Sequence, residues 1–436
     1  MTIIIKSDEI NNMNRSKILA LNELKNDKFD TIEKRIECIK LLLDCEKEDT
    51  FTRNNNLNLM VDFDICDTEN FENRSTGYDI RKIMNKETMN FNKLINHIGG
   101  KLLYIKSGTT GHTFKGIIYD DNGVTENFNY AVKVVAYPIR ENYGDVNDVK
   151  RPENAELMML KLLSYFVVKG NTPHIVLPIT TFNTDIRPFI ALFKKKIIDN
   201  KKYEQFVKRY SESEYHDNVS ILISEWANGG DLLDYIKSNY KEMKVKDWRV
   251  IFFQIISVLA VIQNKYPSFR HNDLKANNIL VQKIENKVKD NFFQYNINLK
   301  HDNGNNEELQ FVIPNIGIQI KLWDFDFACI PGVVENTKVS SEWTNKINVR
   351  PVQNRYYDLH YFFNTLTKKG FFPEFFEKKV VPSVVQDFVK SIVPAELFNS
   401  TNQSVTDRGR ILANDEYTTP AKILKTHKFF DKMRCK

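Results

Sequence analysis

The chain has 436 residues, 42% of them hydrophobic and 12% aromatic, which is enough for one large or two smaller cores. Its net charge of +6 comes from Lys and Arg scattered along the chain, and this spread argues against a specific nucleic-acid partner. Five cysteines without CxxC spacing argue against a disulfide framework or a zinc site and suit a reducing compartment.

In chain order, the opening Ile3-Ile4-Ile5 is too short an apolar run for a signal peptide, and Met1-Thr2 lacks the glycine needed for myristoylation. No run is long enough to span a bilayer, so no transmembrane segment is expected. Residues 1–98 carry no catalytic string. Phe29, Ile32, Ile36, Ile39, Leu42 and Leu43 recur at helical spacing, and Ile80, Ile83, Met84, Phe91, Leu94 and Ile95 mark a second helical zone. Residues 54–56 and 62–73 read as loop. A helical N-terminal extension packed on the following domain is expected; a docking or regulatory arm is the other reading.

From Lys101 the texture changes. Strands are predicted at Leu102–Ile105, Gly116–Tyr119 and Tyr130–Val135, with turn residues such as Asp120-Asp121-Asn122-Gly123 between them. Pro152 opens a helix over 153–168. Strands at Ile175–Ile179 and Ser220–Ile223 precede helices at Leu232–Tyr240 and Trp248–Gln263. Two polar insertions, 182–218 and 285–308, predict surface loops or hairpins. Strands first and helices later predict an α+β fold with a small sheet-rich lobe, about 99–227, and a larger helical lobe, about 228–436.

The most specific string is His271-Asn272-Asp273-Leu274-Lys275-Ala276-Asn277-Asn278, followed by Ile279-Leu280-Val281. Downstream, Leu322-Trp323-Asp324-Phe325-Asp326-Phe327 runs from an apolar strand into acid. Phosphoryl transfer to a hydroxyl needs a carboxylate to orient the attacking oxygen and a cation to offset charge on the moving phosphate. It also needs an amide oxygen and a second carboxylate to hold Mg2+. Asp273, Lys275, Asn278 and Asp324 supply that set in order. His271 reads as a packed structural histidine.

Upstream pieces are weaker alone. Gly108 and Gly111 lie in Lys106–Gly116 between two strands, a stretch equally compatible with a glycine-containing hairpin. Lys133, in an apolar strand, is costly unless paired; Glu156 is its natural partner, and Glu153 one turn away is the rival. Ile221–Leu232 ends in Gly229-Gly230-Asp231, which also suits an edge strand running into a turn.

Together, residues from about 99 to 430 resemble a eukaryotic-type Ser/Thr protein kinase, most closely the divergent kinases of large cytoplasmic DNA viruses, including the poxvirus virion-assembly kinase. The likeness is carried by His-x-Asp-Leu-Lys-x-x-Asn, by Asp-Phe-Asp-Phe, by the Tyr356-Tyr357-Asp358-Leu359-His360 string and by the His427-Lys428-Phe429-Phe430 ending. It implies a bilobal kinase fold over 99–436 and transfer of the ATP γ-phosphate to Ser or Thr hydroxyls of protein substrates. Mg2+ would be the metal, with Mn2+ an alternative. A viral protein would act in the host cytoplasm and could enter the virion.

By the same resemblance Asp273 would orient the acceptor hydroxyl, Lys275 would stabilise the γ-phosphate, and Asn278 and Asp324 would bind metal. Gly108 and Gly111 would approach the phosphates, Lys133 would pair with Glu156, and the backbone of Glu225 and Ala227 would meet the adenine edge. Ser224 would be the gatekeeper and Asp231 would accept from the ribose. Lys275 favours Ser/Thr over Tyr acceptors.

Four departures stand out. Asn272 replaces the arginine that often reads a phosphorylated activation loop. Asp326 replaces the glycine of Asp-Phe-Gly, and its carboxylate would share the metal with Asp324. No Ala-Pro-Glu string follows, and Tyr417 stands where the arginine that pairs with it is usual. A pseudokinase scaffold, a small-molecule kinase of the same fold and a nucleic-acid-binding protein are the rival readings. The presence of Lys133, Asp273, Asn278 and Asp324, Lys275 with the last helix, and the lack of a basic cluster weigh against them respectively.

Overall fold

The structure is a computed structural model that describes residues 3–6, 17–21, 31–43, 60, 79–84, 86–108, 111–120, 126–284, 292–300, 306–377, 379–398 and 404–435. Phe29, the loops expected at 54–56 and 62–73, the turn at 121–123 and residues 285–291 and 301–305 lie outside the described residues. The chain divides into two compact units: residues 1–68, 74–161 and 177–226, and residues 69–73, 162–176 and 227–436.

The first half of the chain contributes β1 (Ile3–Lys6), α1 (Ile32–Leu42), α2 (Ile80–Met84), α3 (Phe91–Ile98), β2 (Lys101–Ser107), β3 (Gly111–Tyr119), β4 (Glu126–Pro138), α4 (Pro152–Val168), β5 (Pro178–Asp185), α5 (Arg187–Lys194), α6 (Lys201–Ser211) and β6 (Tyr215–Glu225). Six strands form one antiparallel sheet in the order β1-β2-β3-β4-β6-β5. The short apolar start of the chain is thus an edge strand against β2. The strand expected from Ile175 begins at Pro178.

The 182–218 insertion is neither loop nor hairpin but a pair of short helices between two strands. Its polar look is that of one-sided helices. In α6 only Tyr203 and Phe206 are buried, one turn apart, and their rings meet His112 of β3 at 4.3 and 4.5 Å. Burial pushes His112 down to about 4, so it packs as a neutral ring.

Lys86 ties α4 to the sheet. Its Nζ is fully buried and donates to Tyr137 Oη of β4 at 2.6 Å, Ser220 Oγ of β6 at 2.9 Å and Asn154 Oδ1 of α4 at 3.3 Å. Three oxygens in one place explain why a lysine is tolerated there.

The second half contributes α7 (Leu232–Asn239), α8 (Val245–Lys265), β7 (Ile279–Lys283), β8 (Phe292–Lys300), β9 (Asn306–Pro314), β10 (Ile318–Leu322), α9 (Glu342–Asn345), α10 (Tyr357–Leu366), α11 (Ser383–Ile392) and α12 (Pro420–Thr426). The core helix is α8, buried on every face from Val250 to Gln263. Phe252 meets Phe363 of α10 at 5.0 Å and Phe388 of α11 at 5.8 Å. Phe253 meets Tyr295 and Phe311 of the antiparallel β8–β9 pair, to which the described residues of the 285–308 insertion belong. Strands β7 and β10 pair so that Ile279 faces Leu322, and Trp323 N donates to Asn278 O at 3.2 Å. That register brings two sequence-distant motifs to the same end of a two-stranded ribbon.

Burial lowers Lys86 to about 7, with Glu153 opposing the shift. An unfolded lysine keeps its proton to roughly pH 10, so between these values the unfolded chain binds more protons and folding strengthens as pH rises. The unfolding free energy of the wild type relative to Lys86→Met should therefore climb from about pH 7 to about pH 10. Urea denaturation across that range checks it; a flat difference would contradict the lowered value.

Candidate active site

In the sheet-rich unit, Lys133 lies mid-strand in β4, between Thr113 of β3 and Leu222 of β6. Its Nζ pairs with Glu156 Oε1 of α4 at 2.6 Å, and both side chains are buried. The rival Glu153 accepts instead from Arg151 Nε at 3.1 Å. A half-broken buried pair of this kind costs about 3–5 kcal/mol, so each partner enforces the other.

Gly108 and Gly111 close the β2–β3 turn through Gly108 N to Gly111 O at 2.8 Å; Thr109 and Thr110 lie outside the described residues. A side chain at Gly111 would stand 2.7 Å from Val134 O, so this glycine is needed for strand packing whatever else it does. At the end of β6, Ser224 is buried, and the Glu225 carboxylate accepts from Arg35 Nη2 at 2.6 Å, Arg35 Nε at 3.0 Å and Leu177 N at 2.8 Å.

In the helical unit, Ala227 is buried and Gly229 packs so closely that a Cβ would stand 2.6 Å from Val281 O. Asp231 is the N-cap of α7, accepting from Asp234 N at 3.0 Å.

The 271–278 string is held from below by Asp358, wholly buried in α10. Its two carboxylate oxygens accept from His271 N at 2.7 Å and Asn272 N at 2.9 Å. Burial pushes the Asp358 carboxyl up, opposed by His271, Arg270 and these N–H bonds. Asn272 takes the left-handed conformation, φ 62°, which an asparagine tolerates better than most residues. Its Nδ2 donates to Phe327 O at 3.0 Å. His271 is structural as expected: Nε2 bonds Trp323 O at 3.0 Å and the ring lies 5.0 Å from Phe325.

Asp273 is the convergence point. Oδ2 accepts from Lys275 Nζ at 2.7 Å and from Asn278 Nδ2 at 3.0 Å, and Oδ1 accepts from Arg410 Nη2. Arg410 also donates to Asn272 O and to Tyr357 Oη at 3.1 Å, and its guanidinium lies 4.0 Å from the Tyr361 ring. Burial disfavours its charge, but Tyr357, Tyr361 and Asp273 outweigh this and raise its pKa. Sequence reading missed Arg410, which sits 137 residues from Asp273 in a turn with no motif of its own.

Asp324 adopts φ 63°, a left-handed conformation an aspartate holds only at some cost, and starts the turn Phe325–Phe327. Phe325 is buried. Asp326 was expected to share a metal with Asp324. Its carboxylate is instead paired with Lys338 Nζ, and its carbonyl accepts from Asn336 Nδ2 at 2.9 Å. The positive φ falls on Asp324 and not on Asp326, so no glycine is needed at 326.

The ion pair expected to be missing also has a counterpart. Arg355, just before α10, makes a bidentate pair with Glu416, just before α12, at 2.7 Å. The charges run opposite to the family order, arginine first and glutamate second, so neither partner matches the family string.

The donor set that could hold a metal is one carboxylate, Asp324, and the amide oxygen of Asn278, whose two side-chain hydrogen bonds both use its nitrogen. This suits Mg2+, which completes its octahedron with water and phosphate oxygens.

The family model for protein tyrosine and serine/threonine kinases matches residues 188–313. A protein of Acanthamoeba polyphaga mimivirus assigned by name as serine/threonine-protein kinase R400 is 46% identical over 426 residues, covering 96% of this chain and 85% of the relative. A second protein of the same virus, assigned as serine/threonine-protein kinase R301, is 27% identical over 300 residues, 59% of this chain and 72% of the relative. With the geometry around Asp273 and a relative aligned along nearly the whole chain, this protein belongs to the serine/threonine protein kinase family.

Proposed function

We propose that the chain transfers the γ-phosphate of ATP to Ser or Thr hydroxyls of protein substrates, with Asp273 orienting the acceptor. The observation that carries this reading is the Asp273 carboxylate, largely buried and fixed by Lys275, Asn278 and Arg410. Lys275 keeps a positive charge beside the acceptor, where charge on the transferred group needs offsetting. Arg410 fixes the rotamer of Asp273 from its other oxygen. Bound Mg2+, held by Asn278 and Asp324, would neutralise the phosphate oxygens. Lys133, paired with Glu156, would be the cation for the remaining phosphates, with Gly108 and Gly111 leaving room for them. The main chain of Glu225 and Ala227 would meet adenine, and Asp231 the ribose. A viral origin, which the mimivirus relatives support, would put its work in the host cytoplasm or virion.

Purified protein should phosphorylate Ser or Thr of a generic basic protein with Mg·ATP and leave small-molecule acceptors untouched. Asp273→Ala should lower kcat by about 10²–10⁴-fold while nucleotide affinity holds. Arg410→Met should lower kcat by about tenfold with KM for ATP kept, and Asp324→Ala should weaken metal-dependent nucleotide binding. Full turnover by Asp273→Ala would exclude the assignment, and a preference for small acceptors would favour the small-molecule reading.

The activation segment is held by neutral and ionic bonds of its own: Asn272 to Phe327, Asn336 to Asp326 and Ala328, Lys338 to Asp326. Asn272 spends its amide on Phe327 O and cannot make the bidentate contact an arginine makes with a phosphate. Phosphatase-treated protein should therefore stay active. Inhibitors that need the Asp324–Phe325 pair rotated outward should bind wild type weakly, because rotation breaks the Lys338 pair. Lys338→Ala and Asp326→Gly should both tighten them by about tenfold in nucleotide-free titrations. Equal affinity in all three proteins would show that the pair does not restrain the turn.

A further inference from the structure

Helix α1 belongs to the N-terminal extension, which carries none of the catalytic strings. It starts at Thr31, whose side chain accepts from Lys34 N at 3.3 Å, and buries Arg35, Ile39 and Leu42. These positions follow the i, i+4, i+7 stripe of an amphipathic helix, with an arginine in an apolar place. Arg35 is 6% exposed, and its fork is spent on Glu225 at 2.6 and 3.0 Å.

A buried ion pair is seldom the most stable way to pack a helix, since apolar residues of similar volume do as well or better. What a bidentate arginine adds is direction. Here the direction is imposed on the last residue of β6. The Glu225 carboxylate also accepts Leu177 N, while Glu225 N donates to Leu177 O at 3.1 Å, so the strand end is tied by side chain and main chain together.

The helix that supplies Arg35 is itself anchored. Lys17 Nζ, buried, donates to Leu42 O at 3.1 Å, placing a cation on the C-terminal carbonyls of α1. The adjacent Ile18 O accepts from Asn127 Nδ2 of β4 at 3.0 Å. Sheet, residues 17–18, α1 and the end of β6 therefore form a closed loop of bonds.

We infer that Arg35 is a positioning residue for adenine: the N-terminal helix α1 is a strut that fixes the Glu225 main chain through its carboxylate. This rests on the kinase reading above, in which that main chain meets the adenine edge. The strut acts on base recognition, remote from Asp273, so it governs nucleotide affinity and not the chemical step.

The test is steady-state kinetics and nucleotide titration of full-length wild type, Arg35→Ala, Arg35→Lys and Glu225→Gln. Arg35→Ala should raise KM for ATP and the Kd for ADP by about tenfold, with kcat within about twofold of wild type. Arg35→Lys, which cannot make the fork, should recover part of this loss, and Glu225→Gln should fall between. Affinity for magnesium tripolyphosphate, which has no base, should be the same in all four. Unchanged KM and Kd in folded Arg35→Ala would overturn the inference, as would an equal loss for ATP and tripolyphosphate. If Arg35→Ala does not fold, Glu225→Gln alone decides, by the same criterion. Failure of the kinase reading is distinct: wild type itself would then transfer no phosphate.

Discussion

The buried carboxylate of Asp358 is the constraint on which the catalytic half depends. It sits at 0% exposure in the first turn of α10, and its two oxygens each accept from one of two consecutive backbone amides, those of His271 and Asn272. Removing it would orphan both amides in a dry interior at about 1–3 kcal/mol each, a sizeable share of the 5–15 kcal/mol that usually holds a domain together. Because the two amides are adjacent, satisfying them fixes the direction of the chain as it reaches Asp273. The left-handed Asn272 follows from that demand, since the chain must turn sharply to offer both N–H groups to one side chain.

Above this anchor, charge is balanced locally. Asp273 is held by two cations, Lys275 and Arg410, and one amide, Asn278. Arg270 lies 3.6 Å over the Tyr357 ring and donates to Val352 O and Asn348 O, tying the start of the catalytic string to the segment before α10. The left-handed Asp324 is reached from the other side, through the β7–β10 register. Two strained residues, Asn272 and Asp324, thus stand at either end of a short span whose neighbours leave them no alternative.

The candidate catalytic residues stood out because phosphoryl transfer asks for few groups at fixed spacing, and three of them, Asp273, Lys275 and Asn278, fall within one loop. The order of elements was legible from periodicity, including α8, while the buried aspartate of α10 was legible only through the family resemblance. What escaped was every interaction whose partners lie far apart in sequence and belong to no string: Arg410 on Asp273, Arg355 on Glu416, Lys338 on Asp326, Arg35 on Glu225. Arg35 shows the physical reason. Periodicity marks apolar faces, and an arginine on such a face counts as a break in the stripe until its carboxylate is seen. The helix pair α5–α6 escaped for the converse reason, because one-sided burial of two or three aromatics leaves a segment polar on average.

The departures from the family pattern compensate one another. The arginine missing at 272 is a cation lost beside the catalytic carboxylate, and Arg410 brings one back from the far end of the chain, on Asn272 O and Asp273 Oδ1. The glycine missing at 326 is a freedom lost, and Lys338 turns the replacement carboxylate into a tether. The Glu–Arg tie missing between the activation segment and the last helix is restored with its charges exchanged, in Arg355 and Glu416. An ion pair has no memory of which partner carries which sign, provided both ends change together. Each substitution is therefore tolerable only with its distant partner, so the functional unit in this chain is the pair and not the motif.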